Sequence, residues 1–240
     1  MAESGSWAAF ALALAVFVLA HVVPTRPAVR ARLVARLGER TFLLLYSALS
    51  LGLLAWLVYS LLAAPVVMLW YYAPWQRWVP LVLMLPVCLL LAGALGAPNP
   101  LSIIGGSGEG FRPTAPGVAG VQRHPLLLAF LLWALAHIPP NGELATVLFF
   151  AAMAVFSGIG MRAVDRKRQR SLGAERWHDL AAATSLVPGR ALLAGRWRPD
   201  PRRLPLLRLG LGVALYAAFL LLHRPVIGVP ALPPGWPGTG

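Results

Sequence analysis

The chain is 240 residues long, 58% hydrophobic and 12% charged, with a mean hydropathy of +0.70; a soluble domain carries about 25% charged residues, so a polytopic membrane protein of one domain is expected instead. The formal net charge of +13 comes from 21 basic residues against 8 acidic ones. In a soluble chain that balance would point to nucleic acid, but here the arginines lie between apolar runs, so the expected partner is the lipid bilayer with its anionic headgroups, and no nucleic acid.

Residues 7–23 are the first expected span. The start, MAESGS, has no basic residue and carries Glu3, which does not fit a cleaved signal peptide. Arg26, Arg30, Arg32, Arg36 and Arg40 follow the apolar run. The positive-inside rule therefore puts the N-terminus outside the cytoplasm and the first loop inside. That loop, VRARLVARLGER, is helical in period and suits the membrane surface. The second span is about 41–64, ending at Pro65, and Trp70, Tyr71, Tyr72, Trp75 and Trp78 then read as an aromatic belt at the outer interface. The third span, about 79–96, holds Pro86 as a point of bending and Cys88. With one cysteine in the chain there is no intrachain disulfide, CxxC zinc pair or CxxCH haem-attachment motif, so any haem is held non-covalently.

Residues 97–123 are rich in Gly, Pro and Ser and read as a flexible cytoplasmic connector. Their GGSGEG stretch is no dinucleotide fingerprint, because no strand precedes it. The fourth span is about 124–138: Arg123-His124-Pro125 starts a helix, and Pro139-Pro140-Asn141-Gly142 stops it. The fifth, about 144–162, runs back in, and 163–203 is the basic cytoplasmic loop. Within it MRAVDRKRQRSLGAERWHDL has helical character and can continue the fifth helix out of the membrane. The sixth span, about 204–223, ends at His223-Arg224-Pro225, followed by a Pro-rich tail outside, expected to be mobile. The expected fold is all-α: a polytopic membrane helical bundle of about six transmembrane helices, residues 1–240 as one domain, both termini non-cytoplasmic.

An ionisable group within a span is costly and marks a functional candidate. The acids lie near span ends or in loops, which removes carboxylate-pair chemistry. The histidines remain, and the segment 121–143 carries two of them, His124 and His137, at the ends of one apolar run. Thirteen residues of helix separate them by roughly 20 Å and turn them to opposite faces. One straight helix therefore cannot bring both to one metal, and each needs a partner from another helix. His21 lies near the inner end of the first span and His223 at the outer end of the sixth, while His178 reads as a surface residue. Neutral imidazole suits haem iron, and histidines on separate helices of a bundle are a usual way to hold it. The alternative for each ring is a hydrogen bond to a carbonyl or a headgroup. By depth alone, His21 pairs with His124 and His137 with His223.

The segments AHVVPTRPAVR, LGERTFLLLYSALS, AAPVVMLW, RHPLLLAFLLWALAHIPPNGELATVLFF, GMRAVDRKRQRSLGAERW and TSLVP resemble the NnrU family of membrane proteins, relatives of the plant 15-cis-zeta-carotene isomerase. The resemblance covers roughly residues 7–223 and is most specific in the RHP…LWALAH run with its following NGE. It implies a multi-pass protein of the bacterial inner membrane that supports denitrification, in nitrite and nitric oxide reduction, with reductase components as partners. It also implies haem b as cofactor, because the two haem ligands of the plant relative match His21 and His137; His124 is the substitute partner. The plant enzyme has Cys at the position of Ala134, so thiolate ligand exchange is absent here, and Ala129 replaces a usual Gly. An isomerase-like activity on a polyene, with ferrous haem as Lewis acid, belongs to the same resemblance. Two other classes stay open. RHP followed by a basic helix and LGAERW is similar to the S-adenosylmethionine-dependent isoprenylcysteine methyltransferases, although Leu126, Leu127 and Leu128 stand where an aromatic is wanted and Glu175 lacks its paired Glu. A non-catalytic assembly partner of a reductase is the other.

Overall fold

A computed structural model describes residues 5–103, 108–200 and 205–233. The expectations for the first four residues, for part of GGSGEG, for Arg202 and Arg203 and for most of the Pro-rich tail fall outside the described residues. Those described contain helices and no strand, only one isolated bridge between Met68 and Glu143. They form two compact units: the described residues up to 71 with 142–149, and those of 72–141 with those from 150 on.

The first unit holds α1 (Trp7–Val22), α2 (Pro27–Leu37) and α3 (Glu39–Ala63). Ser6 starts α1 by accepting a bond from Ala9 N–H, and Thr25 closes its end by donating to the carbonyls of His21 and Val22. The chain turns by 78° between α1 and α2, and Pro27 opens α2, where its missing N–H costs nothing. Gly38, at φ +78°, joins α2 to α3 in a conformation that L side chains rarely adopt. Phe10, Ala13 and Phe17 form one buried stripe on α1 at i, i+3, i+7, and Phe42, Leu57 and Ser60 are the buried positions of α3. The remaining faces are apolar and exposed: Leu44 is 73% and Leu62 80% exposed, a surface that lipid solvates and water does not. Residues 67–70 and 142–144 pair as short extended segments, Leu69 N–H bonding Gly142 O and Leu144 N–H bonding Val67 O, each at 2.8 Å.

The second unit is organised on α4 (Trp78–Ala94), which packs against α6 (Pro125–His137) and α10 (Leu206–Ile227). Val87 and Leu90 of α4 meet Leu128 and Ala129 of α6 in a buried cluster, with Trp133 and Leu132 against it. Ala129 is 1% exposed. Tyr216 on α10 donates to Leu81 O at 2.8 Å, and Arg208 binds the carbonyls at the end of α4, among them Gly93 at 3.0 Å and Leu95 at 2.7 Å. A cation there complements the negative end of the helix dipole. Short helices α5 (Val118–Val121), α8 (Ala174–Ala181) and α9 (Arg190–Leu193) complete the set with α7 (Leu144–Leu172), whose first turns belong to the first unit and the rest to the second.

Four helical stretches are long and apolar enough to cross a membrane, Glu39–Ala63, Pro74–Ala94, Leu144–Leu172 and Leu206–Ile227, or five if α1 and α2 form one bent span. The other apolar helix, α6, has 13 residues, about 20 Å of length against roughly 30 Å of hydrocarbon. The fifth helix is the longest, at 29 residues, because the polar run after Met161 keeps the helical period, as the character of MRAVDRKRQRSL implies. Two expectations are corrected. The sixth does not stop at Pro225 but runs to Ile227, with Gly228 at φ +87° after it; the carbonyl that Pro225 leaves unbonded belongs to the exposed Leu221. The stretch 97–123 is not simply a flexible connector: Asn99, Leu101 and Ser102 are buried and bonded.

Candidate functional site

His21 and His137, in different units, have the same local arrangement. His21 Nδ1 is 2.7 Å from Phe17 O, four residues earlier on α1. His137 Nδ1 is 2.7 Å from Trp133 O, four residues earlier on α6. A carbonyl only accepts, so Nδ1 carries a proton in both rings, and in the neutral form of each Nε2 has the lone pair. Both rings are half-buried among aromatics: His21 lies 4.3 Å from Phe17 and 6.0 Å from Tyr46, and His137 lies 5.3 Å from Phe150, stacked, and 5.7 Å from Trp133. Asn141 Nδ2 ties down the end of α6 by donating to His137 O at 2.7 Å. A haem ligand needs an unprotonated imidazole nitrogen, its other nitrogen held by a carbonyl or carboxylate, and planar apolar neighbours. The donor set and surroundings of both rings fit that requirement. His223 Nδ1 is 2.7 Å from Val229 O, and His178 is exposed, as expected.

His124, the substitute ligand, sits in a different kind of place. It is fully buried at the start of α6, with Nδ1 3.4 Å from Ser102 Oγ and Nε2 facing Asp165 Oδ1 at 3.5 Å. The Nε2 contact is electrostatic, too poorly placed for a hydrogen bond, and leaves this buried atom without a bonding partner among the described residues. His124 therefore belongs to a polar centre that the residue pattern did not announce.

Arg123 is that centre. Its side chain is 8% exposed and makes a two-pronged ion pair with Asp165, Nη1 lying 2.8 and 2.9 Å from the two carboxylate oxygens. Arg123 Nε donates to Thr184 Oγ1 at 2.9 Å, its guanidinium lies 4.8 Å over the Trp177 ring, its N–H bonds Ser185 O and its carbonyl accepts from Asn99 Nδ2. Gln122 beside it donates to Leu186 O and Met161 Sδ. Arg168 donates to Ser102 O. Asp165 stands beyond the apolar run of α7, which ends at Met161. Burial pushes its carboxyl up, but the contacts with His124 and Arg123 and their charges outweigh that and hold it below the ordinary carboxylate range. Arg123, one of the arginines expected between apolar runs, is buried, and Asp165, one of the acids expected near span ends or in loops, is partly buried against it. An arginine and an aspartate 42 positions apart carry no local sign of pairing. The usable hint is that Arg123 stands two residues before a helix whose every residue from Leu126 to Ala136 is apolar.

The network borders an open cleft of about 300 Å³ lined by Arg123, Asp165, Trp177, Ser185, Arg190 and Arg196, among others. No group of three or more His, Cys, Asp or Glu able to hold a bare metal ion occurs among the described residues.

A chain whose described residues are helical, with several apolar helices long enough to cross a bilayer, is a helical membrane protein. Within that class the chain belongs to the NnrU protein family, whose model matches residues 9–231. No curated protein and no solved structure matches it.

Proposed function

We propose that this NnrU-family protein is a six-span, multi-pass protein of the bacterial inner membrane with both termini non-cytoplasmic, that it binds b-type haem through His21 and His137, and that it serves redox or nitric-oxide chemistry in support of denitrification. The observation that carries the haem reading is the matched tautomer of the two rings, each with Nδ1–H held by a carbonyl one turn back and a lone pair at Nε2. Bound haem would supply a redox-active, Lewis-acidic iron. The chain's own residues hold the tautomer, fix ring orientation and offer apolar planes, Phe17 and Tyr46 around His21, Trp133 and Phe150 around His137. His124 is a weaker candidate for ligation, because Asp165, Arg123 and Ser102 already surround it. The same ligand pair would serve a carotene-isomerase-like reaction. Six spans are supported by six apolar helical segments with the basic residues gathered between alternate ones.

The test is the absorption spectrum of protein purified from haem-supplemented cells, oxidised and then reduced. A Soret band with a sharp reduced α band is expected, lost in His21→Ala and in His137→Ala and kept in His124→Ala. A wild-type preparation without a Soret band overturns the haem reading, and a spectrum retained in both of the first two variants overturns the choice of ligands.

A further inference from the structure

We propose that the cleft beside Arg123 is an oxyanion site that takes a phosphate group, supplied by the headgroup of an acidic phospholipid or by free phosphate. Three arginines line it against one aspartate. Arg123 and Asp165 neutralise each other across their two-pronged pair, so Arg190 and Arg196 give the cleft a surplus of two positive charges. Arg196 is pinned to the wall through Nη1, which donates to Ala182 O at 2.8 Å and Thr184 O at 3.0 Å. A guanidinium has five N–H donors in a planar fork, and those two bonds engage one nitrogen.

Two further donors border the same space. Trp177 lines the cleft, and its indole N–H is buried without a hydrogen-bond partner among the described residues. Buried donors are almost always bonded, so an orphan beside a cavity is the sign of an absent acceptor. Ser185, 6% exposed, accepts from Val187 N–H and so keeps its own O–H to donate. Thr184 is already committed to Arg123 and to Ala181 O. Donors spread over α8, α9, the residues between them and Arg196 just after α9 suit a tetrahedral acceptor better than a planar one, and Arg favours phosphate geometry. Asp165, in the wall of the cleft, stands one turn beyond the apolar part of α7, at the level where headgroup phosphates sit. About 300 Å³ admits a phosphate together with its ester arm.

The test titrates full-length protein in a neutral maltoside, stripped of lipid, with dioctanoyl phosphatidylglycerol and separately with inorganic phosphate, by calorimetry. It is run on haem-free and haem-loaded preparations alike, so that its result does not depend on the haem reading. Saturable binding near one per chain is expected, weakened at least five-fold in Arg190→Gln and about three-fold in Trp177→Phe, which keeps an aromatic face and removes the N–H. Arg190 is exposed, so its variant folds, and circular dichroism checks that it does. Lipid binding displaced by phosphate assigns the headgroup as the source; phosphate binding without lipid binding assigns free phosphate; either supports the site. Absence of saturable binding by both probes, or binding unchanged in Arg190→Gln, overturns it.

Discussion

Asp165→Asn keeps the shape of the side chain and removes its charge. Arg123 then loses two charge-assisted bonds, at 2.8 and 2.9 Å, and keeps the Thr184 bond and the Trp177 face. Removing one partner of a buried pair costs about 3–5 kcal/mol, because the other charge stays buried and unpaired. Two facts reduce that figure: the amide oxygen of Asn can accept one of the lost bonds, and the Asp165 side chain is 14% exposed beside an open cleft. The expected loss is therefore about 2–3 kcal/mol. At about 2–4 °C per kcal/mol for a chain of this size, the unfolding midpoint in mild detergent should fall by roughly 4–12 °C, followed by size exclusion after heating. Acidification gives a second signature. The folded Asp165 carboxyl titrates below the ordinary range, so the unfolded chain takes up that proton first. The pair's contribution is complete above the ordinary range and is lost as pH falls through the folded value. Wild-type stability should decline below about pH 4 from this group, and Asp165→Asn should lack that part of the decline. A variant melting within about 1 °C of wild type would refute the assignment of Arg123 and Asp165 to the core.

Replacing both partners, Arg123→Leu with Asp165→Leu, should restore more stability than either single change allows, a coupling of at least about 1 kcal/mol in a double-mutant cycle. Gly142→Ala would drive a Cβ into the carbonyl oxygen of Trp70, so the backbone pairing of 67–70 with 142–144 must shift; a loss of about 2–3 kcal/mol is expected, and unchanged proteolysis of these loops would contradict it. Arg208→Ala strips a cation and several donors from the carbonyls of residues 92–96 and should cost about 1–2 kcal/mol, with partial recovery in Arg208→Lys. In the haem assay, occupancy of His21→Ala or His137→Ala below about a tenth of wild type is the expected outcome; His124→Ala should instead lower stability, since it empties a fully buried position.

Composition and apolar periodicity alone settled the class. Each of the six apolar runs is a helix, Pro125 opens α6 and Pro139-Pro140 closes it, and the helical character of MRAVDRKRQRSL carries α7 to Leu172. These are local matters, set by hydrogen bonding within a few residues and by the cost of baring backbone to lipid. The histidine tautomers were nearly within reach too, since Phe17 and Trp133 stand one turn before His21 and His137. Only the tertiary structure decided which charged residues are interior. Asn99, Ser102, Arg123, Asp165 and Thr184 are scattered over 86 positions, and each alone reads as a loop or interface residue. Their burial follows from α6, α7 and the segment after α8 closing around one guanidinium, where losing hydration is offset by a full set of partners. That compensation is a property of the assembled set, so no stretch of sequence could reveal it.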